Sequence, residues 1–353
     1  MKTFFLAAAP VVSVIVLCVF AFLFSACYAL KQGSYMMGYL SKAVPLEKLT
    51  SGGDADEKTA LFINRVNDIR FFAMNDLGLK DTKNYTKYVD IDRDYLAAVV
   101  SACEKDRFET YLWWFPVVGK MPYKGFFNLK DARKEAEKLQ NKDKDVWVRG
   151  VDAFSTLGYF NDPLYSYMRD YSEYRLAELL IHELFHATVF IKNNVQFNEE
   201  TAEFTGRTGA RMYIEKKYGK NAPQLAEIEE SQKDYDVFVL FIQKLKLDLE
   251  EVYKKDISLN EKLEQKEAVI KAAQKKFEEE YDATFKTKNY VNFSKIQINN
   301  AYLQLYSLYN DGADYLEKLY NSSGKDLRFF IEAAKKIKGK SSPQKQLEYF
   351  LSR

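Results

Sequence analysis

The sequence predicts an α+β fold that is mostly helical, with a small sheet ahead of a central helix and a long helical hairpin inserted after it. Helices should dominate because the 353 residues include only 7 prolines and 15 glycines, which interrupt helices most often. Three short strand-like runs predict the sheet, and a charged stretch with coiled-coil spacing predicts the hairpin. We expect four parts, namely 1–30, 31–220, 221–290 and 291–353.

The composition is that of an ordinary folded domain. Charged residues make up 29% and hydrophobic residues 47% of the chain, and the formal net charge is +2. We therefore expect no nucleic-acid partner, since such partners favour a basic surface. Cys18 and Cys27 belong to an apolar leader, which leaves Cys103 as the only thiol of the body and no intramolecular disulfide framework.

The leader is an apolar run from Phe4 to Leu30, interrupted only by small polar residues and cysteine. It is long enough to span a bilayer, and its basic start also suits a bacterial export signal. The segment Leu23-Phe24-Ser25-Ala26-Cys27 resembles a lipobox, whose cysteine becomes the lipid-bearing first residue. We expect an exported bacterial lipoprotein, membrane-tethered on the periplasmic side; the alternative is an uncleaved signal anchor.

The next segments alternate between helical and strand periods. Residues 31–49 should form a helix that leaves the membrane and is broken at 51–54. A second helix is expected over 54–77, where apolar residues recur four, three and four positions apart, at Phe62, Val66, Ile69 and Ala73.

The small sheet is predicted from three runs, 95–100, 111–115 and 146–151, with turns at Pro116, Gly119 and Pro122. Asn128 should cap a helix over 129–140 that precedes the last of these strands. Residues 151–159 could supply a sheet edge that holds an extended peptide, and a plain core strand is an equally good alternative.

The central helix carries a pattern that suits a metal ion. Both histidines of the chain occur in the run His182-Glu183-Leu184-Phe185-His186. Residues four apart share one face of a helix, so both imidazoles can converge on one Zn²⁺ with Glu183 beside them, as in zinc hydrolases. The flanking residues are apolar almost all round, which indicates a buried helix whose imidazoles and carboxylate need a partner.

The third ligand is expected to be a carboxylate, because a catalytic zinc takes three protein ligands and no third histidine exists. Ser172 should cap the central helix, and Asn198 should cap the following helix, 199–217. On that helix Glu199 and Glu203 share a face with small residues, namely Ala202, Gly206, Gly209 and Ala210. Close packing there predicts Glu199 as ligand and Glu203 as the acceptor that orients a ligating imidazole. The alternative is an acidic helix start favoured by the helix dipole.

These residues resemble the gluzincin zinc peptidases, in which a Glu on the following helix is the third metal ligand. More closely, the chain resembles the bacterial predicted-aminopeptidase family, with members that begin like lipoproteins. That likeness also rests on 114–119, 122–127, 155–163, Asn299-Asn300-Ala301 and Tyr309. It implies a zincin-like core over 31–220 and a zinc metallopeptidase that acts on peptides, with aminopeptidase activity as the narrower implication.

Behind the central helix, residues 223–285 predict two antiparallel helices that project from the body, with a break at 256–260. Their charges should form a solvated face, and a protein-docking arm is the alternative. A short tyrosine-rich helix over 299–310 and a docking helix over 327–337 should follow.

The expected chemistry assigns Glu183 as the general base for a water molecule. A further donor should stabilise the oxyanion, and Tyr309 is the candidate, with a core tyrosine as the alternative. The rival function is a membrane-tethered interaction or scaffold protein with a structural zinc site, which would be closed by four protein ligands.

Overall fold

The computed structural model describes residues 28, 30–51, 56–115, 119–151, 161–192, 194–306, 313–338 and 342–353. The secondary structure there is mostly helical with small sheets, which confirms the α+β class. The helices are α1 (30–40), α2 (Leu46–Ser51), α3 (Glu57–Asn75), α4 (Leu129–Gln140), α5 (Glu173–Thr188), α6 (Val195–Tyr218), α7 (Pro223–Tyr253), α8 (Leu259–Thr284), α9 (Asn300–Leu303), α10 (Ala313–Ser322), α11 (Leu327–Lys335) and α12 (Pro343–Leu351). The strands are β1 (Val44–Pro45), β2 (Lys87–Val89), β3 (Ala97–Glu104), β4 (Trp113–Phe115), β5 (Gly119–Met121), β6 (Tyr123–Phe126), β7 (Lys144–Val151) and β8 (Leu164–Tyr165).

The largest strand pairing is an antiparallel sheet with the order β6-β3-β7. β3 lies in the middle and is buried along nearly its whole length, which suits its run of small and β-branched residues. The predicted strand 95–100 therefore begins later and extends to Glu104, and the predicted strand 146–151 begins earlier, at Lys144. Of the edge expected over 151–159, Val151 is the last residue of β7, and residues 152–159 lie outside the described part of the chain.

The predicted strand 111–115 is shortened to β4, which pairs with β5 in a separate two-stranded sheet. Sequence analysis did not predict β6, which pairs with β3 directly after that hairpin. A third sheet joins β1, β2 and β8 and brings the start of the body beside the segment that leads into α5.

The first helices differ from the sequence prediction at their ends. The predicted helix 31–49 is divided into α1 and α2 by a turn and the short β1. The helix expected over 54–77 is α3, with Asp56 as its N-cap accepting a hydrogen bond from the Thr59 amide at 2.7 Å. Its apolar face is buried as predicted, with Phe62, Val66, Ile69 and Ala73 in the main core.

The charged stretch forms two helices, α7 and α8, which pack against each other. The prediction that they project from the body is wrong. Their apolar seam shares a core with residues 293–303, and the buried Lys266 of α8 contacts the Asp145 carboxylate at the start of β7. The helical hairpin of α7 and α8 therefore docks on one end of the β6-β3-β7 sheet.

The last part of the described chain packs on the site helices. Of the helix predicted over 299–310, the described part forms the single turn α9 followed by a 3₁₀ turn, Gln304–Tyr306, and residues 307–310 lie outside the described part of the chain. α11 matches the predicted docking helix, and its Phe330 ring lies 5.1 Å from the Phe204 ring of α6. The helices α10 and α12 were not predicted, because their surroundings in the sequence are polar.

Candidate metal centre

The motif helix α5 forms where the sequence predicts it. Ser172 is its N-cap and accepts a hydrogen bond from the Arg175 amide at 3.2 Å. Behind the motif, Leu180, Ile181 and Phe185 are fully buried in the main core. This burial fixes the rotation of α5, so that His182 and His186 are presented together on another face.

The following helix, α6, begins at Val195, four residues earlier than predicted. Asn198 is not its cap. The Asn198 side chain is buried, accepts a hydrogen bond from the Ile191 amide at 2.9 Å, and donates one to the Ile191 carbonyl at 2.9 Å. An amide can satisfy both groups at once, so Asn198 fastens the connection between α5 and α6 and positions the adjacent Glu199.

The small residues of α6 allow it to lie directly against α5, as predicted. A Cβ atom on Gly206 would lie 2.8 Å from the Glu178 carbonyl oxygen and 3.1 Å from the His182 Cβ atom. A Cβ atom on Gly209 would lie 2.9 Å from Leu77 and 3.2 Å from Ile181. Glycine at these two positions therefore lets the helices approach closely enough for Glu199 to reach the histidines.

His182, His186 and Glu199 come together in one cluster, with one ligand atom from each lying within 4.8 Å of the others. The two histidine Nε2 atoms are 3.1 Å apart. The Glu199 carboxylate oxygens lie 3.7 Å from His182 Nε2 and 3.6 Å from His186 Nε2.

These separations fit a metal ion. Ligands about 2.1 Å from a tetrahedral Zn²⁺ lie about 3.4 Å from each other. Two imidazoles and a carboxylate are also the donor types that zinc accepts. Glu199 is half exposed, at 50% of its side-chain surface, so the cluster is reachable from solvent.

The electrostatics of the cluster favour a cation. Burial, followed by the nearby His186, lowers the pKa of His182 to about 4, so this imidazole is neutral and can offer a lone pair at neutral pH. Burial opposes protonation of His186, but Glu199 and Glu183 outweigh it and raise the His186 pKa. Burial would raise the pKa of Glu199, and the two histidines reverse that shift and lower it.

Glu183 is buried, with 7% of its surface exposed, and lies next to His182 in the chain. Tyr85, a residue that sequence analysis missed, is also buried and interacts electrostatically with Glu183. Burial first, and then the Glu183 charge, raise the pKa of Tyr85 well above its usual value, so its phenol stays protonated. Tyr85 has a φ of 60°, an uncommon conformation for a bulky side chain. Its amide donates a hydrogen bond to the Asp162 carbonyl at 2.7 Å. No sequence signal marks such a residue.

Glu203 and Tyr309 are the two remaining residues that the sequence analysis assigned to the site. Glu203 lies one turn beyond Glu199 on α6, and within the described part of the chain no hydrogen bond joins it to either imidazole. The Nδ1 atom of His186 is buried and has no hydrogen-bond partner among the described residues. The orienting role of Glu203 thus stays a prediction. Tyr309 lies outside the described residues.

Comparison with known proteins adds one match. A protein-family model described as "Putative aminopeptidase" matches residues 27–348. The comparisons with curated proteins and with solved structures gave no match.

Proposed function

Because the chain belongs to the putative aminopeptidase family, we propose that it is a zinc-dependent metallopeptidase with His182, His186 and Glu199 as metal ligands. The observation that carries the proposal is the convergence of these three side chains from α5 and α6. A catalytic zinc takes three protein ligands and keeps one open position, whereas a structural zinc takes four. The group of three within the described residues therefore supports catalysis over the structural alternative.

The zinc, when bound, supplies a Lewis acid and lowers the pKa of water towards neutrality. His182 and His186 would hold it through their Nε2 atoms, which lie 3.1 Å apart, and Glu199 would hold it through its carboxylate. The proposed role of Glu183 is to accept a proton from water at a carboxylate oxygen and pass it to the leaving amine. Tyr309 remains our candidate donor to the oxyanion, on sequence grounds alone.

The proposed substrate is a peptide. The family description supports a narrower activity, the removal of N-terminal residues from that peptide. The zincin-like arrangement of the core and the gluzincin type of ligand set belong to the same proposal.

The apolar leader and its lipobox-like end support an exported, membrane-tethered protein. No helix in the described part of the chain is both long and apolar enough to cross a bilayer.

The test compares cleavage of peptides with free and blocked amino termini by the zinc-loaded protein, with and without a chelator. We expect cleavage that chelation abolishes and added zinc restores, and an aminopeptidase would spare the blocked peptides. Glu183→Gln should retain zinc and lose turnover by at least about 100-fold, because it removes the proton acceptor and no metal ligand. Undiminished cleavage by zinc-containing Glu183→Gln would refute the role of Glu183.

A further inference from the structure

The hairpin of β4 and β5 has two chemically different faces. Trp113 and Phe115 point inward: the Trp113 indole donates a hydrogen bond to the Glu135 carboxylate at 2.8 Å, and the Phe115 ring lies 5.8 Å from the Tyr28 ring. Side chains alternate along a strand, so Trp114 points outward, where it is 57% exposed. Leu112, two residues earlier, is also exposed, and Lys120 is the cross-strand partner of Trp114.

The outer face, formed by Leu112, Trp114 and Lys120, thus combines two apolar side chains with a cation. Large apolar side chains that are exposed together on one face form a candidate contact surface, because contiguous apolar patches mark interaction sites. Tryptophan is enriched where protein meets the headgroup region of a bilayer, because its ring is apolar and its N–H is polar. Lysine adds attraction to anionic lipid headgroups.

The position of this hairpin relative to the leader indicates which partner covers it. Tyr28 packs between β6 and the inner side of the hairpin: its hydroxyl donates to the Gly125 carbonyl of β6, and its ring lies 5.8 Å from the Phe115 ring of β4. Tyr28, one of the last residues of the apolar run that ends at Leu30, therefore lies beside β4. Leu30, at the end of that run, is 73% exposed. Whether the proposed tether is a lipid on Cys27 or the uncleaved leader, it joins the chain directly before Tyr28, so the membrane surface lies within a few residues of the hairpin.

We propose that the outer face of the β4–β5 hairpin rests on the surface of an anionic phospholipid bilayer. This contact orients the tethered body, and it is independent of the peptidase chemistry. It depends on the proposed membrane tether.

The experiment uses the full chain reconstituted in vesicles of phosphatidylethanolamine and phosphatidylglycerol, with phospholipid brominated on its acyl chains as the quencher of tryptophan fluorescence. The chain contains three tryptophans. Trp113 is buried, and Trp147 lies on β7, across the sheet from β6, with its ring 4.8 Å from the Tyr302 ring. We expect the wild-type protein to be quenched and Trp114→Phe to lose most of that quenching.

Two further variants sharpen the test. Leu240→Trp in the Trp114→Phe background places an exposed tryptophan on α7, outside the β4–β5 hairpin, and this tryptophan should not be quenched. Lys120→Glu should reduce quenching in the anionic vesicles and have little effect in phosphatidylcholine vesicles. Equal quenching of wild type and Trp114→Phe in vesicles with which both proteins co-float would overturn the proposal, and a raised KM for peptide in that variant would then assign this face to the substrate. Protein that does not co-float with the vesicles would refute the membrane tether, and the proposal with it.

Discussion

Glu199 is the residue on which the metal proposal depends most, because it is the ligand contributed from outside the histidine motif. Its carboxylate lies 3.6 Å from His186 Nε2. The neighbouring Glu200 instead accepts a hydrogen bond from the Gln196 side chain at 2.8 Å. The two adjacent carboxylates therefore give a matched pair of variants.

We expect Glu199→Gln to weaken zinc binding by at least about 100-fold, because it replaces an anionic ligand with a neutral amide. Substitution of a group that only supports a ligand lowers metal affinity by about 10-fold to 100-fold, and loss of a ligand itself should cost at least as much. Glu200→Gln should bind zinc like the wild type. Equilibrium dialysis against a zinc chelator of known affinity measures both. Equal loss in the two variants would indicate a general effect of negative charge rather than ligation.

Glu203 gives a prediction about pH. Burial, and then the carboxylates of Glu178, Glu199 and Glu200, raise its pKa from 4.5 to about 7, although Arg207 opposes the shift. Because the pKa is higher in the folded protein, the folded state holds this proton more tightly, and the resulting stability is lost as pH rises from about 4.5 through 7.

In chelator-treated protein at pH 8, the free energy of unfolding of Glu203→Gln should therefore exceed that of the wild type by about 1 to 2 kcal/mol, after allowance for solvent screening. Urea denaturation measures this difference. At pH 5 the difference should be smaller. A variant that is less stable than the wild type at pH 8 would contradict this account and would point to a stabilising partner for the ionised carboxylate.

At the scale of elements, the contact between α5 and α6 positions all three proposed ligands. Gly206→Ala should destabilise the protein by about 1 to 3 kcal/mol, because its Cβ atom would meet the backbone of α5. It should also weaken zinc binding, since the same atom would press on His182. Thermal unfolding and zinc titration measure the two effects.

The control is Gly33→Ala in α1, where an added Cβ atom would meet nothing within 4 Å. That substitution should leave zinc binding unchanged and stabilise the helix by about 0.5 to 1 kcal/mol. If Gly206→Ala binds zinc normally, the close approach of the two helices does not set the ligand geometry.

The same elements show what the sequence could predict. The cap at Ser172 and the positions of the two histidines follow from local rules, because a cap and a four-residue spacing involve only neighbours in the chain. Asn198 also looks like a cap, but its partners are the backbone groups of Ile191, which come within reach only when α5 and α6 pack. β6 escaped prediction for a similar reason, since its pairing with β3 is a long-range contact.

At the scale of the whole molecule, the helical hairpin is joined to the sheet by a buried polar junction. Lys266 is 6% exposed, contacts the Asp145 carboxylate and donates a hydrogen bond to the Lys105 carbonyl at 2.9 Å. The Asp145 carboxylate also accepts a hydrogen bond from the backbone amide of Asn300 at 2.8 Å. Three segments distant in sequence therefore meet at one carboxylate.

Removing the cation should leave that carboxylate buried without its charge partner. We expect Lys266→Ala to lower the free energy of unfolding by about 3 to 5 kcal/mol. Lys271→Ala, on the exposed side of α8, should change it by less than about 0.5 kcal/mol. Urea denaturation measures both, and similar small effects would mean that the hairpin is held by its apolar seam alone.

The central claim is that one divalent ion is held by two imidazoles and one carboxylate and keeps a position open to water. A crystal structure of the zinc-loaded protein, with anomalous diffraction recorded at the zinc absorption edge, tests it most directly. The account predicts one peak about 2.0 to 2.2 Å from His182 Nε2, His186 Nε2 and a Glu199 oxygen, with no fourth protein ligand. The absence of a peak there, or closure of the site by a fourth side chain, would contradict it.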